Sequence, residues 1–335
     1  MKLRKVYALI ILIVIMLSLL CGCNKKVYIT TGLKSDEIFK LSGNSCSTGQ
    51  IMLILMAEKN RYESDFGSDI WQYENNSLKS NLEEEIKEKV KKQLVQLKTI
   101  ELLGKENKIL LSDEEKELIN KAAHEYYSGL TDKEKDLLKV TEEDVQKLYT
   151  SFNIADKLYY KLTKDIKLEV SDEEARVIKC KYIYIDIIEG KEKALEKANT
   201  VHELLSAGND FNAVAKQYSS SEEIDVQLSR NVVYSEFKED VFALTQGQIS
   251  NVMESEKGYY IFLCVSDYLE AETLVNKEKI VNDYKKEQYQ KIYKPFEAEQ
   301  TFEFNDKFWE KVELSKYKEV KTINLYEVYN EYFKQ

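Results

Sequence analysis

The sequence predicts an α+β protein: mainly helical segments toward both ends of the chain, with a small antiparallel sheet flanked by helices between them. Three observations predict it. A single proline, Pro295, and 11 glycines among 335 residues, with 32% charged residues rich in Glu and Lys, favour long helices. Hydroxyl residues stand three positions before a glutamate at Ser112–Glu115, Thr131–Glu134 and Ser171–Glu174, the reciprocal capping arrangement of helix starts; Thr141–Asp144 is a weaker version. After Ser171, β-branched and aromatic residues crowd into two stretches, Val177–Ile188 and Tyr259–Val265, which read as strands.

At the N-terminus, Lys2, Arg4 and Lys5 precede an uncharged run from Val6 to Leu20. That run is shorter than the about 20 residues a membrane-crossing helix needs. Basic residues, a short apolar core and then small residues describe an export signal. Leu20-Cys21-Gly22-Cys23 matches the bacterial lipobox, in which a small residue precedes the cysteine that receives diacylglycerol; Cys21 follows Leu20 and does not fit. Residues 1–22 are therefore expected to be a lipoprotein signal peptide. Cys23 is the expected lipidated residue, holding the chain to the extracytoplasmic face of a bacterial membrane, where two or more acyl chains anchor stably. A plain membrane anchor or an ordinary secretory signal is the alternative. Residues 23–34, polar and without periodicity, read as a tether.

Residues 35–170 read as a helical module. Ile51–Met56 is compatible with an amphipathic helix and a docking turn. Leu82, Ile86, Val90, Leu94 and Leu97 then step along one stripe between Asn81 and Gly104, with Gly104 the expected C-cap. The helix after Thr141 carries Val145, Leu148, Phe152, Ala155, Leu158, Tyr159 and Leu162 on one stripe. Residues 171–268 read as the α+β domain: the first strand, helices over Lys191–Ala207, Phe211–Tyr218 and Phe237–Leu244, a turn at Gly247, and the second strand. Residues 269–335 are charged and helical, with segments at Glu278–Glu299 and Asn324–Phe333, and are expected to pack on the N-terminal helices.

Charge and cysteine content narrow the function. With 59 acidic against 49 basic side chains and a formal charge of −10, the chain has no basic footprint for nucleic acid. Losing Lys2, Arg4 and Lys5 with the signal makes it more acidic still, so lipid rather than charge would do the anchoring. Cys46, Cys180 and Cys264 form no CxxC pair, and the two histidines, His124 and His202, fall in predicted helices, so no metal and no cofactor is expected. With Tyr182 near Tyr260, Cys180 and Cys264 would share one face a diagonal step apart, as free thiols or as a disulfide. The 23 tyrosines suit either ordinary packing or a groove that holds unfolded polypeptide.

Residues 171–268 resemble the parvulin-type peptidyl-prolyl isomerase domain. The resemblance is carried by stretches in register: Asp210-Phe211 before Ala215 and Tyr218-Ser219; Phe237 to Leu244; Gly247-Gln248-Ile249-Ser250; and Gly258-Tyr259-Tyr260-Ile261. The layout of lipoprotein, helical module, parvulin domain and returning tail is similar to PrsA-type extracytoplasmic foldases and SurA-type chaperones. The family's paired histidines fall on Tyr182 and Tyr260, its central Cys or Asp on Ser221, and its Gly-rich segment has no counterpart in Glu222–Arg230. The resemblance implies Tyr182, Tyr260 and Ser221 at the catalytic positions and Val233, Phe237 and Phe242 at the proline pocket. It implies a chaperone or foldase acting on unfolded or newly secreted polypeptides, with isomerase activity in doubt because both histidines are replaced. A tyrosine-based isomerase and a non-catalytic structural or regulatory lipoprotein are the alternatives; two tyrosines that simply pack the sheet and two phenylalanines that are helical core are the plainer readings of the site.

Overall fold

Helices begin where the hydroxyl–carboxylate pairs put them. In the computed structural model, which describes Leu33 and residues 38–72, 74–75, 80–230, 237–322 and 324–334, capping boxes start the helices Asp113–Gly129, Asp132–Leu138, Glu142–Thr163 and Asp172–Ala175. The expected signal peptide, Cys23 and all of the tether but Leu33 lie outside the described residues. Among the described residues no helix is long and apolar enough to cross a membrane. The chain forms two compact units: residues up to Asp165 together with those from Lys286 on, and Ile166–Lys285.

The first unit is built round the helix Thr48–Phe66. Every residue from Gly49 to Asn60 is buried, so only the short apolar core of this helix was legible as Ile51–Met56. Its capping box at Ser47 and Gln50 escapes a pattern that looks only for glutamate. The helices Leu82–Glu106, Glu142–Thr163 and Leu325–Phe333 contribute Val90, Leu94, Val145, Leu148, Leu325 and Tyr329 to the same core. Phe39–Leu41 pairs antiparallel with both Asn44–Cys46 and Phe302–Phe304, so the tail closes a small sheet with the start of the helical module. The second half of the helix Glu270–Glu299 lays Tyr289 and Tyr293 against Ile100, Leu103 and Leu158.

One expectation fails here. Gly104 is not a C-cap: the helix runs on to Glu106 and ends with Lys108 at φ 53°, its N–H bonding the Lys105 carbonyl while the Ile109 N–H bonds Gly104. Gly104 serves packing instead, since a Cβ there would meet Ile154 Cγ2 at 2.7 Å.

The second unit holds a four-stranded antiparallel sheet in the order Asp225–Ser229, Val177–Asp186, Gly258–Ser266, Met253–Ser255. Alternation sorts its residues by face. Ile183, Ile185, Tyr259 and Ile261 pack under the helices Lys191–Ser206 and Phe211–Tyr218, which supply Ala194, Ala198, Val201, Phe211 and Val214. Cys180, Phe262 and Cys264 take the other face with Phe237, Val241 and Phe242, next to the helix Lys238–Phe242. Gly208, at φ +87°, closes the first of these helices by a turn in which its N–H bonds Leu205 and the Asn209 N–H bonds Leu204.

The register of the two central strands corrects a second expectation. Tyr182 stands opposite Phe262, Tyr184 opposite Tyr260, and Cys180 directly opposite Cys264 rather than diagonal to it. Gly258 explains the register. Paired with Asp186, it has φ +154°, and a Cβ on it would lie 2.2 Å from the Ile185 carbonyl oxygen. Only a residue without a side chain starts the strand there, and the pairs from Asp186–Gly258 to Cys180–Cys264 follow, up to an irregularity between Lys179 and Cys180. Cys180 and Cys264 are free thiols, both fully buried. Burial first, then the neighbouring Cys264, pushes the Cys180 thiol up to about 12.

Candidate functional site

Five aromatic rings gather on the sheet face that carries the cysteines. Tyr182 and Tyr184 come from one central strand, Tyr260 and Phe262 from the other, and Phe237 caps the helix Lys238–Phe242. Ring centroids lie 4.8 Å apart for Tyr184–Tyr260, 6.2 Å for Tyr182–Tyr260, 5.7 Å for Phe237–Tyr260 and 6.0 Å for Phe237–Phe262. Phe237 and Phe262 are buried, while the three tyrosines are half-buried. The Tyr184 hydroxyl donates to the Lys257 carbonyl at 2.6 Å, which pins that ring across the start of the Gly258–Ser266 strand.

Ser221 reaches this cluster through a loop that follows the strand edge. The Ser220 N–H bonds the Tyr184 carbonyl at 2.7 Å, the Tyr184 N–H bonds Ser219 Oγ at 3.3 Å, and the Tyr182 N–H bonds the Ile224 carbonyl at 2.8 Å. Residues 219–224 thereby extend the ladder of the Val177–Asp186 strand and bring Ser221 Oγ to 3.1 Å from the Tyr182 hydroxyl. Ser221 Oγ also donates to the Glu223 carbonyl at 2.7 Å. A serine hydroxyl has one proton, and a carbonyl only accepts. With that proton spent on Glu223, the bond to Tyr182 requires Tyr182 to donate and Ser221 to accept. Both hydroxyl protons are then directed along the relay Tyr182, Ser221, Glu223 carbonyl.

The other expected residues divide. Phe237 joins the ring cluster and also lines a cavity of about 510 Å³ with Leu244, Met253, Asp240 and Gln248. Phe242 is buried with its ring facing two guanidinium groups, Arg176 at 5.3 Å and Arg230 at 5.0 Å; Arg176 also bonds the Phe242 carbonyl. Val233 lies outside the described residues. His124 and His202 sit on the helices Asp113–Gly129 and Lys191–Ser206. Tyr184 and Phe262 were missed, although the signal was present: each stands two residues from a chosen position on a strand, hence on its face.

Ser250 fixes the back edge of the site. Its N–H bonds the Phe262 carbonyl at 2.8 Å, and its Oγ accepts the Phe262 N–H at 2.9 Å. Gly247 and Gln248 exchange bonds with Cys264 in the same way, so residues 247–250 hold the ring-bearing strand on its outer side.

Tyr182→Phe removes the relay without moving a ring. It is expected to cost the second unit about 1 kcal/mol, the net worth of one hydrogen bond, measured as a shift of the urea midpoint at constant slope. A loss of about 3 kcal/mol would mean that Ser221 depends on that proton for its own placement.

Residues 178–266 match the family described as the PPIC-type PPIase, or rotamase, domain. The chain is similar to the foldase protein PrsA of Caldanaerobacter subterraneus subsp. tengcongensis, with 28% identity over 282 residues, spanning 77% of this chain and 81% of that protein. Among solved structures it is similar to PrsA from Bacillus subtilis, with 21% identity over 63% of this chain and 82% of that one and a TM-score of 0.25. It is also similar to the peptidylprolyl isomerase PrsA from Bacillus cereus, with 18% identity, 93% and 100% coverage and a TM-score of 0.37.

Proposed function

We propose, from the premise that residues 178–266 are a parvulin-type rotamase domain carried in a PrsA-like chain, that this protein is an extracytoplasmic foldase. It is tethered by lipid on Cys23 and acts on newly secreted polypeptides chiefly by holding them. The observation that carries this reading is the hydroxyl relay from Tyr182 through Ser221 to the Glu223 carbonyl.

Turning an X-Pro bond crosses a barrier of about 18–20 kcal/mol. Lowering it requires contacts that are stronger to the twisted amide than to either planar state. A donor aimed at the amide would do so, and two of the three hydroxyls at the family's catalytic positions, those of Tyr182 and Ser221, are spent on the relay. What the site does offer is ring surface. Tyr182, Tyr184 and Tyr260 are only half-buried beside the buried Phe237 and Phe262. Such surface attracts proline, aliphatic and aromatic side chains alike and selects none strongly. Loose, broad attraction is the property a holding site needs.

The test is aggregation of chemically unfolded clients after dilution, with and without an equimolar amount of the purified protein. Suppression across several unrelated clients is expected. Suppression of none, together with capture of one stoichiometric partner, would favour a structural or regulatory lipoprotein instead.

A further inference from the structure

We propose that the first unit carries a second, separate site, which binds polypeptide segments that combine acidic with large apolar side chains. The ligand class, a client polypeptide, rests on the foldase reading; the site itself rests on a cavity at the end of the Glu142–Thr163 helix. That cavity has a volume of about 580 Å³, and its walls include Lys108, Leu110, Tyr160, Lys161, Lys164 and Phe333. The volume falls within the about 300–1,000 Å³ of ordinary ligand sites.

Its charge is the opposite of the chain's. Lys108, Lys161 and Lys164 are exposed, and none has a carboxylate partner among the described residues; Lys161 donates only to the Asn107 carbonyl, at 2.6 Å. The acidic groups on the wall are already engaged. Glu115 is bridged to Lys157 at 2.6 Å, while Asp156 accepts from the Tyr329 hydroxyl at 2.8 Å and faces Lys334 at 3.6 Å. Three cations are left to meet a ligand, in a chain whose formal charge is −10.

Apolar surface accompanies the charge. Leu110 is 79% exposed and Tyr160 68% exposed, two of the large apolar side chains this protein leaves in water. Tyr160, Lys161 and Lys164 share one side of the helix by their spacing, while Lys108 and Leu110 arrive from the turn that follows the Leu82–Glu106 helix. Phe333, stacked on Tyr329 at 4.9 Å, makes a fixed wall. Cations beside exposed apolar groups fit carboxylates beside apolar side chains. A long polyanion or an anionic membrane would have to approach the whole acidic chain; a short acidic segment meets only the cavity.

Isothermal titration calorimetry on the whole protein tests this, using a ten-residue peptide that alternates Leu or Phe with Asp or Glu, and its counterpart with every acid replaced by Lys. The acidic peptide is expected to bind at least tenfold tighter than the basic one and to weaken as salt is raised. Lys108→Glu combined with Lys164→Glu should weaken it at least tenfold, and Tyr160→Ala, at an exposed position, threefold or more. Equal binding by wild type and both variants would overturn the site, as would equal affinity for inorganic phosphate or anionic vesicles. Failure of the foldase reading looks different: wild-type protein would then leave client aggregation unchanged, whatever the peptide does.

Discussion

Gly258→Ala is expected to unfold the second unit under conditions where the wild type is stable, at a cost of about 3 kcal/mol or more. The added Cβ would lie 2.2 Å from the Ile185 carbonyl oxygen, 2.8 Å from Tyr184 Cε2 and 3.1 Å from Asp186 Cα. Two of those atoms are backbone of the neighbouring strand, so no side chain can swing aside to make room. The strand that would have to retreat carries Tyr182 and Tyr184, and the one that begins at Gly258 carries Tyr260 and Phe262. Urea denaturation followed by near-ultraviolet circular dichroism reads the effect directly. A variant as stable as the wild type would mean that the Asp186–Gly258 pairing is not what fixes the register, and with it the placement of the rings.

Glu134→Ala is the second large effect, expected to cost the first unit about 3 kcal/mol by removing the charged acceptor of five part-buried hydrogen bonds. Glu134 is 2% exposed, and one carboxylate oxygen accepts from the Lys321 N–H at 2.8 Å, the Thr322 N–H at 2.9 Å and Thr322 Oγ at 2.9 Å. Its other oxygen completes the capping box with Thr131. One side chain thus ties the start of a helix to a tail segment 187 residues away. Burial pushes this carboxyl up, but the hydrogen bonds from Thr131, Thr322 and Lys321 outweigh it and hold the carboxyl at about 2, against the usual 4.5. A carboxylate whose folded value is depressed contributes fully above its unfolded value, and the contribution is lost as pH falls toward the folded one. Stability of the first unit is therefore expected to drop between about pH 4.5 and pH 2. In Glu134→Gln that part of the slope should be missing; an unchanged slope would place the acid sensitivity elsewhere.

These two positions also illustrate what a sequence discloses. The Thr131–Glu134 pair was legible as a helix start, because capping is a local arrangement with a fixed spacing. That the same glutamate receives the backbone of Lys321 and Thr322 was not legible, since nothing local marks a contact across 187 residues. Likewise the strands Phe39–Leu41, Asn44–Cys46 and Phe302–Phe304 are three residues each, too short for alternation to register, and they exist by pairing with one another. The helix Thr48–Phe66 hid for the opposite reason. It is buried on all sides over most of its length, so it lacks the polar face that reveals an amphipathic helix.

At the ring site, residue types and the pairing of two strands were legible, but register was not. Tyr182 was expected near Tyr260; the structure sets them a diagonal step apart and puts Tyr184 opposite Tyr260. A shift of two residues keeps every side chain on its face, so hydrophobic alternation cannot detect it. Only the steric demand at Gly258 does. The association of Ser221 with Tyr182 was expected from family positions alone, and it depends on the 219–224 loop running along the strand edge. Phe242 shows the limit of carrying a position over: its ring faces Arg176 and Arg230.

The central claim is that the tyrosine site holds polypeptide without speeding its X-Pro bonds. Exchange spectroscopy by NMR on an X-Pro peptide, with and without the whole protein and with its fold confirmed in the same sample, addresses that claim most directly. The account predicts cis–trans exchange at the uncatalysed rate, tens to hundreds of seconds at 25 °C, alongside broadening of peptide resonances from weak binding. Faster exchange that disappears in Tyr182→Ala or Tyr260→Ala would contradict it and make this chain an isomerase with a rebuilt site.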